Sequence, residues 1–304
     1  MKKLISVVGT TGIGKTKLAI ELAKHFQTEI ISCDSRQFFK EMPIGTAAPS
    51  EAELAEAPHH FIGQLSVTDY YSLGQYEHDA MEKLNELFQK HDVIIMVGGS
   101  MMYEKAVIQG LNDLPEANAE NQEKLNKLLE EQGIESLQNL LLELDPEYYN
   151  TVHLENPRRL LRAIDVIWQT GEKYSKLVAV PNEPRSFDTI RIGIEAPREI
   201  IYERINYRVE KMMEAGLLHE VENLKDFKHL TSLNTVGYSE LFEYMEGNWS
   251  LDFAVSEIQK NSRRFAKRQL TWYRKEEDIN WVSYLNSVEE SLSLLNKLLI
   301  ETKK

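Results

Sequence analysis

Short apolar runs alternate with helix-period segments at the start of the chain and again near residue 190. Four runs are nearly continuous in apolar residues, at positions 4–8, 29–33, 93–97 and 189–194. Runs of this kind are typical of parallel strands covered by helices on both faces. Between the first two, apolar residues recur at helical spacing over residues 15–26. The pattern therefore predicts an α/β fold that opens with a βαβ unit.

A helical segment interrupts this pattern. Residues 116–184 contain no strand-like run, but helix-period segments cover residues 122–132, 135–144 and 156–169, with prolines between them. We therefore predict a core from residues 1–115 and 186–304 that encloses an all-helical insertion at 116–185. Beyond the fourth strand, helical patterns return over residues 198–225 and 251–272.

Composition narrows the class of protein. The chain has 304 residues, 42% hydrophobic and 27% charged, as ordinary globular proteins have. The single cysteine, Cys33, excludes a disulfide framework and fits a reducing compartment. His59 and His60 are adjacent and point to opposite faces of an extended chain, which disfavours a shared metal. No apolar stretch is long enough for a membrane, and no secretory pattern precedes the first strand, so we expect a cytoplasmic protein without a membrane partner.

The charge is unevenly distributed. A formal net charge of −13 by itself argues against a nucleic-acid partner. Residues 116–147, however, hold nine acidic and two basic residues, whereas residues 260–275 hold seven basic and no acidic residues. On a helix, four of those basic residues form a stripe beside aromatic side chains, which predicts contact with an RNA backbone. A solvated helix face is the alternative.

A phosphate-binding motif follows the first strand. Its residues fit G-x-x-x-x-G-K-[ST]: Gly9, Thr10, Thr11, Gly12, Ile13, Gly14, Lys15 and Thr16. The backbone amides of such a loop surround a phosphate, Lys15 neutralises its oxygens, and the Thr16 hydroxyl can ligate Mg²⁺. A GTPase base-reading motif and the Asp-Glu pair of motor ATPases are both missing from the sequence. Small kinases and other phosphate-handling transferases remain.

Polar residues follow the second and third strands. Asp34 comes directly after the second, and Gly98, Gly99 and Ser100 come after the third. An Asp at the carboxyl end of a parallel strand lies in the ligand crevice, where it can act as a general base or assist Mg²⁺. Capping of the next helix is the alternative for Asp34. The two glycines permit close approach of a ligand to the backbone, and Ser100 supplies a hydroxyl group; a tight turn is the alternative for the glycines.

One pair and one group of three arginines lie on predicted helices. Arg204 and Arg208 are four residues apart, and both reach a pyrophosphate if their helix borders the crevice. Arg158, Arg159 and Arg162 form a basic patch in the insertion, with Arg158 and Arg162 sharing a helix face. For this patch, too, a solvated face is the alternative.

With these residues in place, the sequence resembles the tRNA dimethylallyltransferases, also called tRNA isopentenyltransferases. The agreement runs in family order over nearly the whole chain and is more specific than the phosphate motif alone. The matching residues are 9–16, Asp34, Ser35, Gln37, 44–47, Pro49, 58–60, 97–99, Arg159, Leu160, Arg162, Ala163, Arg204, Arg208, Met212, Gly237, Tyr238, 266–269, Thr271 and Trp272.

The resemblance implies a P-loop core and transfer of a dimethylallyl group from dimethylallyl diphosphate to N6 of adenosine 37 in the tRNA anticodon loop, with Mg²⁺ as cofactor. It implies that Asp34 is the base and that Ser100 and Arg208 are the other catalytic residues. The diphosphate is then held by residues 9–16 and Arg204, with Mg²⁺ on Thr16. The implied tRNA contacts are Ser35, Arg36, Gln37, Arg158, Arg159, Arg162, Arg263, Arg264, Lys267, Arg268 and Gln269.

Four positions depart from the family pattern. Arg36 stands where members usually carry Met, Ser100 where they carry Thr, Ala48 where they carry Lys, and Gly63 where they carry Asp. Ser100 keeps the hydroxyl group. These departures concern substrate preference more than the type of reaction.

A small-molecule kinase is the main alternative, because it would use the same phosphate loop with Asp34 as the base. A non-enzymatic RNA-binding NTPase is a third possibility. The basic segment at residues 260–275 favours the transferase, since a kinase lid needs arginines near ATP rather than a long basic helix. We expect the protein to act as a monomer.

Overall fold

The computed structural model describes residues 2–301, and within that range it contains one parallel sheet of six strands. The strand order is β3-β2-β4-β1-β5-β6, and every neighbouring pair is parallel. This confirms the predicted α/β class. The strands are β1 (Lys3–Gly9), β2 (Ile30–Ser32), β3 (His59–His60), β4 (Val93–Val97), β5 (Asp188–Glu195) and β6 (Ile279–Ser283).

Helices connect the strands and build the rest of the described chain. A short 3₁₀ turn at Lys225–Phe227 adds to them. The α-helices are α1 (Lys15–Phe26), α2 (Glu51–Glu56), α3 (Leu73–Leu87), α4 (Met101–Gln109), α5 (Ala119–Gln132), α6 (Ile134–Leu144), α7 (Pro146–Tyr149), α8 (Pro157–Thr170), α9 (Tyr174–Val178), α10 (Arg198–Glu214), α11 (Leu217–Glu222), α12 (Tyr238–Met245), α13 (Leu251–Tyr273) and α14 (Ser287–Glu301).

The register brings the carboxyl ends of the central strands to one level. Val97 at the end of β4 pairs with Val7 of β1 and with Ser32 of β2. On the other side of β1, Gly9 pairs with Ile194 of β5. β2 and β4 lie on one side of β1, and β5 lies on the other. In open α/β sheets, ligands bind outside the carboxyl ends of the strands at the point where the strand order changes side.

Alternate residues of each strand pack on opposite faces of the sheet. On one face, side chains such as Ile5 and Val7 pack against α1 and α10. On the other face, Leu4 lies in a cluster with Tyr76 and Leu84 of α3. The burial of both faces explains why the predicted strands are nearly continuous in apolar residues.

A separate apolar cluster joins α10, α11, α12 and α13. Its completely buried members include Leu217, Tyr238, Leu241 and Ala254. The cluster makes these helices one packed body behind the loop that follows β2.

The chain divides into two compact units. One comprises the residues up to Ile108 together with those from Arg185 onward, and the other is Gln109–Pro184. The second unit consists of α5 to α9 around its own core, which includes Leu125, Leu137 and Leu160. The sequence prediction placed the insertion at residues 116–185.

Some elements differ from the sequence prediction. β3 and β6 were not predicted, because β3 has two residues and β6 mixes polar with apolar positions. The helical pattern over residues 198–225 is divided into α10 and α11 at Gly216, whose φ of 99° is left-handed. None of the helices within residues 2–301 has the length and apolarity that a membrane crossing requires.

Candidate active site

The loop between β1 and α1 presents a helix N-terminus. Gly14, the N-cap of α1, has a φ of 108° and provides no side-chain cap, and the first turn contains no acidic residue. A non-glycine residue would be strained at that φ. The amides of the first turn and the helix dipole therefore face the loop without a competing carboxylate, as an anion site requires.

Lys15 lies inside this loop. Its Nζ donates a hydrogen bond to the Thr10 carbonyl oxygen at 2.9 Å. Burial lowers the pKa of Lys15 to about 8; Arg208 adds to this effect and Asp34 opposes it. The Thr10 hydroxyl oxygen is buried and has no hydrogen-bond partner. Lys15 thus places a first cation at the end of β1.

Arg208 of α10 adds a second cation. Its guanidinium donates to the Thr11 hydroxyl at 3.2 Å and to the Thr46 carbonyl at 3.4 Å. Burial lowers the pKa of Arg208, while Asp34 acts in the opposite direction. Burial therefore destabilises the free cation, which favours an anionic ligand beside it.

Arg204 lies one turn earlier on α10. Its guanidinium donates to the Ile13 carbonyl at 3.0 Å and lies over the Tyr284 ring, 5.0 Å from the centroid. The structure thus brings both predicted arginines of α10 to the phosphate loop.

Asp34 follows β2 at the same edge of the sheet. Its Oδ1 accepts from the Arg36 amide at 3.2 Å, and its Oδ2 accepts from the Gly99 amide at 3.2 Å. A Cβ on residue 99 would lie 2.8 Å from Oδ2, so glycine is required for this approach. Backbone amides fix the carboxylate beside Lys15 and Arg208.

Ser100 connects the ends of β2 and β4. Its Oγ accepts from the Ser35 amide at 3.0 Å and lies 2.9 Å from the Ser35 Oγ. The two hydroxyl groups form a hydrogen-bonded pair next to Asp34. The predicted site residues of both strand ends are therefore neighbours.

Gln269 of α13 was predicted to contact tRNA, but its side chain is completely buried. Its Oε1 accepts from the Thr11 amide at 2.8 Å, and its Nε2 donates to the Gly99 carbonyl at 2.8 Å. Its amide group joins the phosphate loop to the end of β4 and is therefore not exposed for contact with tRNA.

Arg36 and Gln37 hold neighbouring loops. Arg36 donates to the carbonyl oxygens of Ser232 at 2.8 Å and Thr231 at 3.2 Å. The Gln37 amide donates to the Ala47 carbonyl at 3.0 Å and to Thr46 at 3.3 Å. Contact of these side chains with tRNA remains a prediction.

The four residues of the predicted basic stripe on α13 differ in exposure. Arg264, Lys267 and Arg268 are exposed. Arg263, predicted on the same face, is half-buried and donates to the Asn206 side-chain oxygen at 2.6 Å. Three predicted RNA contacts therefore lie on the surface, and the fourth connects α13 to α10.

The arginines of the insertion also differ in exposure. Arg158 and Arg159 are exposed at the start of α8. Arg162 instead donates to the Pro115 carbonyl at 2.6 Å and lies 3.7 Å from the buried Asp165 carboxylate. Arg158 and Arg162 are one turn apart on α8, but the guanidinium of Arg162 is held by groups within its own unit, so its contact with tRNA remains a prediction.

One residue that sequence reasoning did not assign, Glu220, lies behind the site. The Glu220 carboxylate accepts from the amides of Ile44 and Gly45 and from the Tyr238 hydroxyl. The following residue, Thr46, contacts Arg208. The segments 44–47 and 237–238 belong to the matching residues of the sequence, but nothing in the sequence indicated that Glu220 joins them.

The oxygen atoms at this edge of the sheet suit a hard cation such as Mg²⁺. Thr16 is the second residue of α1, and Asp34 supplies hard oxygen atoms at the same edge. Within residues 2–301, no group of three or more His, Cys, Asp or Glu forms a metal cage. Mg²⁺ commonly binds through one or two protein oxygens, substrate phosphates and water, so such a cage is not needed.

A phosphate loop at the end of β1, two arginines of α10 and a carboxylate fixed by amides define a P-loop transferase. The family model described as IPP transferase matches residues 37–276. The chain belongs to the IPP transferase family.

Individual relatives agree with this assignment. A tRNA dimethylallyltransferase of Christiangramia forsetii is 53% identical over 281 residues, covering 92% of this chain and 93% of its own. The crystal structure of a tRNA isopentenylpyrophosphate transferase from Bacillus halodurans is similar with a TM-score of 0.74 and 31% identity, covering 100% and 99% of the two chains. A eukaryotic dimethylallyltransferase acting on tRNA has a TM-score of 0.86 at 23% identity, over 99% of this chain and 80% of that one, and supports the fold alone.

Proposed function

We propose that the protein transfers the dimethylallyl group of dimethylallyl diphosphate to N6 of adenosine 37 in the anticodon loop of tRNA. The observation that carries this proposal is the Asp34 carboxylate, held by the amides of Arg36 and Gly99 beside the cations of the phosphate loop. A base and a diphosphate site thus lie together at one edge of the sheet. Relatives of this chain are named tRNA dimethylallyltransferases, which supports the choice of substrates.

The residues suit this chemistry because an exocyclic adenine amine is a weak nucleophile. The bond from N6 to the allylic carbon forms while the bond from that carbon to the diphosphate oxygen breaks. The departing diphosphate keeps the electron pair, and the Asp34 carboxylate takes the proton from N6. Lys15, Arg208 and the loop amides stabilise the negative charge that develops on the leaving group.

Mg²⁺ would be held by Thr16, with Asp34 as a second source of hard oxygen atoms. When bound, the ion would neutralise part of the charge on the leaving group. The protein supplies the rest through Lys15 and Arg208, whose cations need no reorganisation as the reaction proceeds.

The tRNA contacts follow from surface charge and from the geometry of the reaction. The target adenine leaves its stack to reach Asp34, with Ser35 and Gln37 next to the base. The exposed Arg264, Lys267 and Arg268 suit backbone phosphates, as do Arg158 and Arg159 in the insertion. We propose further that the enzyme acts as a monomer in the cytoplasm.

To test this proposal, the protein is incubated with Mg²⁺, labelled dimethylallyl diphosphate and unmodified tRNA, in the presence of ATP as a competing donor. We expect label on adenosine 37 and release of diphosphate. A tRNA with guanosine at position 37 is the matched control and should stay unlabelled. Transfer of phosphate from ATP to a metabolite, without label on tRNA, would overturn the proposal in favour of a small-molecule kinase.

A further inference from the structure

Glu220 of α11 binds the loop that follows β2. Its Oε2 accepts from the Ile44 amide at 2.8 Å, and its Oε1 accepts from the Gly45 amide at 2.8 Å. The Tyr238 hydroxyl donates to Oε1 at 2.6 Å. Hydrogen bonds to an ionised carboxylate are stronger than neutral ones, so these three fix two successive residues of the loop.

Tyr238 supports this loop by packing as well. The Tyr238 side chain is completely buried, and a Cβ on residue 45 would lie 2.5 Å from its ring. Glycine at position 45 therefore lets the backbone lie directly on the ring. Burial, with Glu220 adding to it, raises the pKa of Tyr238, so its hydroxyl stays protonated and remains a donor.

The start of α12 is itself anchored. The Gly237 amide donates to Glu240 Oε2 at 2.8 Å, and the Asn261 side chain of α13 donates to Glu240 Oε1 at 2.8 Å. Glu240 is buried. Glu220 and Tyr238 thus connect the 44–47 loop to a packed group of helices, which restricts its movement.

The other side of the 44–47 loop faces the catalytic residues. The Thr46 carbonyl accepts from Arg208 at 3.4 Å and from Gln37 at 3.3 Å. Arg208 uses its other terminal nitrogen on the Thr11 hydroxyl of the phosphate loop, at 3.2 Å. The position of the Thr46 carbonyl therefore helps to set the plane of the guanidinium.

We propose that Glu220, with Tyr238, is a positioning residue that orients Arg208 toward the diphosphate by fixing the 44–47 loop. The planar guanidinium binds phosphate through directed hydrogen bonds, so its orientation affects both affinity and leaving-group stabilisation. The identity of the prenyl donor rests on the proposed function, but the contact with a diphosphate does not depend on the acceptor.

The first test is the variant Glu220→Gln, which has one oxygen where two are used and places an NH₂ group opposite a backbone N–H. The probe is inorganic pyrophosphate with Mg²⁺, measured by calorimetry without tRNA or prenyl donor. We expect affinity to fall about tenfold. The matched control is Glu222→Gln, the same change at an exposed position of α11, which should leave affinity unchanged.

The second test asks whether Glu220 acts through Arg208. Arg208→Ala and the double variant Glu220→Gln/Arg208→Ala complete a double-mutant cycle. If Glu220 orients Arg208, the second substitution adds little to the loss of pyrophosphate affinity caused by the first. Losses that add in full would show an independent structural role and overturn the proposal.

Steady-state kinetics with both substrates give a further readout. We expect Glu220→Gln to raise KM for dimethylallyl diphosphate and lower kcat, with KM for tRNA changed by less than about twofold. A rise confined to KM for tRNA would overturn the proposal by assigning the loop to the RNA. If Glu220→Gln does not fold, Tyr238→Phe tests the same contact, because it keeps the ring on Gly45 and removes one donor.

Failure of this inference is distinguishable from failure of the proposed function. Unchanged pyrophosphate affinity in folded Glu220→Gln would reject the positioning role even if the wild-type enzyme prenylates tRNA. A protein that uses ATP instead of a prenyl donor would still lose pyrophosphate affinity on this substitution if the inference is correct.

Discussion

Backbone amides orient the Asp34 carboxylate. The Arg36 and Gly99 amides each bind one carboxylate oxygen at 3.2 Å. Each carboxylate oxygen can accept more than one hydrogen bond, so the group retains acceptor capacity for a substrate proton. The charged side chains of Lys15 and Arg208 lie close enough to be influenced by it.

We therefore predict that Asp34→Asn lowers kcat by about 10²–10⁴-fold, because the amide cannot accept the proton from N6. Binding of tRNA should change by less than about twofold, since the Asp34 side chain supplies no positive charge to an RNA phosphate. Filter binding measures the second quantity, and thermal unfolding checks the fold. The exposed Asp226→Asn serves as control. An equal loss of tRNA affinity would make Asp34 a docking residue.

The lowered pKa of Lys15 predicts that binding of dimethylallyl diphosphate depends on pH. Burial lowers its pKa to about 8, so the ammonium is charged below that pH and neutral above it. The affinity of the free enzyme for dimethylallyl diphosphate should therefore fall as the pH rises from about 7 to 9.5, approaching tenfold per unit above the pKa. Calorimetry without tRNA measures this profile.

Two substitutions isolate the contribution of Lys15. Lys15→Arg keeps its charge over this range and should give a nearly flat profile. Lys17→Arg changes an exposed residue of the same helix and should retain the slope of the wild type. A flat wild-type profile would contradict the role of the Lys15 charge in binding.

At the level of elements, a buried ion pair joins α4 to β5. Arg191 of β5 contacts both oxygens of the Glu104 carboxylate at 3.0 Å, and the Ser6 hydroxyl of β1 donates to one of them at 2.8 Å. Burial raises the pKa of Glu104, and Arg191 opposes that effect. The pair fixes α4, which begins directly after Ser100, on the sheet.

We predict that Arg191→Met lowers the free energy of unfolding by about 3–5 kcal/mol, because it leaves the Glu104 carboxylate buried without its partner. Adding Glu104→Leu should restore most of the loss, since an apolar pair of similar volume removes the uncompensated charge. Urea denaturation measures Arg191→Met, Glu104→Leu and the double variant, and the exposed Arg274→Met is the control. If the double variant were as unstable as the sum of the two single ones, the pair would not be coupled.

For the whole molecule, the distribution of charge says more about binding of RNA than the net charge does. The chain has a formal net charge of −13, and residues 116–147 hold nine acidic and two basic residues. In contrast, α13 exposes Arg264, Lys267 and Arg268. An acidic protein therefore carries a local surface suited to phosphates.

We predict that replacing Arg264, Lys267 and Arg268 together by Gln weakens tRNA binding and flattens its dependence on salt, by about one unit of slope per lost phosphate contact. Affinity for dimethylallyl diphosphate alone should not change. Filter binding at several salt concentrations provides the measurement. Replacing Lys124 and Lys127 of α5 by Gln is the control, which removes two exposed positive charges from another surface. Equal salt slopes for wild type and the triple variant would place the tRNA elsewhere.

The features predicted correctly are those encoded by neighbouring residues. The apolar runs predicted the central strands, and the spacing from Gly9 to Thr16 predicted the phosphate loop that β1 and α1 enclose. Asp34 and Gly99 were assigned to the ligand edge because parallel strands end together, and the structure joins them by a hydrogen bond of 3.2 Å.

The features that were missed depend on partners far away in sequence. Gln269 is 258 residues from Thr11, and Arg263 is 57 residues from Asn206, yet each pair shares a hydrogen bond. Helical spacing placed Arg263 beside Arg264, but it could not show which neighbour would take the guanidinium. Glu220 has no local signal, since its role arises from the loop that folds against it.

The sequence by itself determined the four central strands, the phosphate loop and the family of the chain, because periodicity, glycine spacing and motif order are local properties. Only the tertiary structure decided which polar side chains face a ligand and which bind other parts of the protein. A buried polar group needs a hydrogen-bond partner, and that partner is chosen by packing, not by sequence position. For this reason Gln269 and Glu220 support the site from within, while Lys267 and Arg268 remain on the surface.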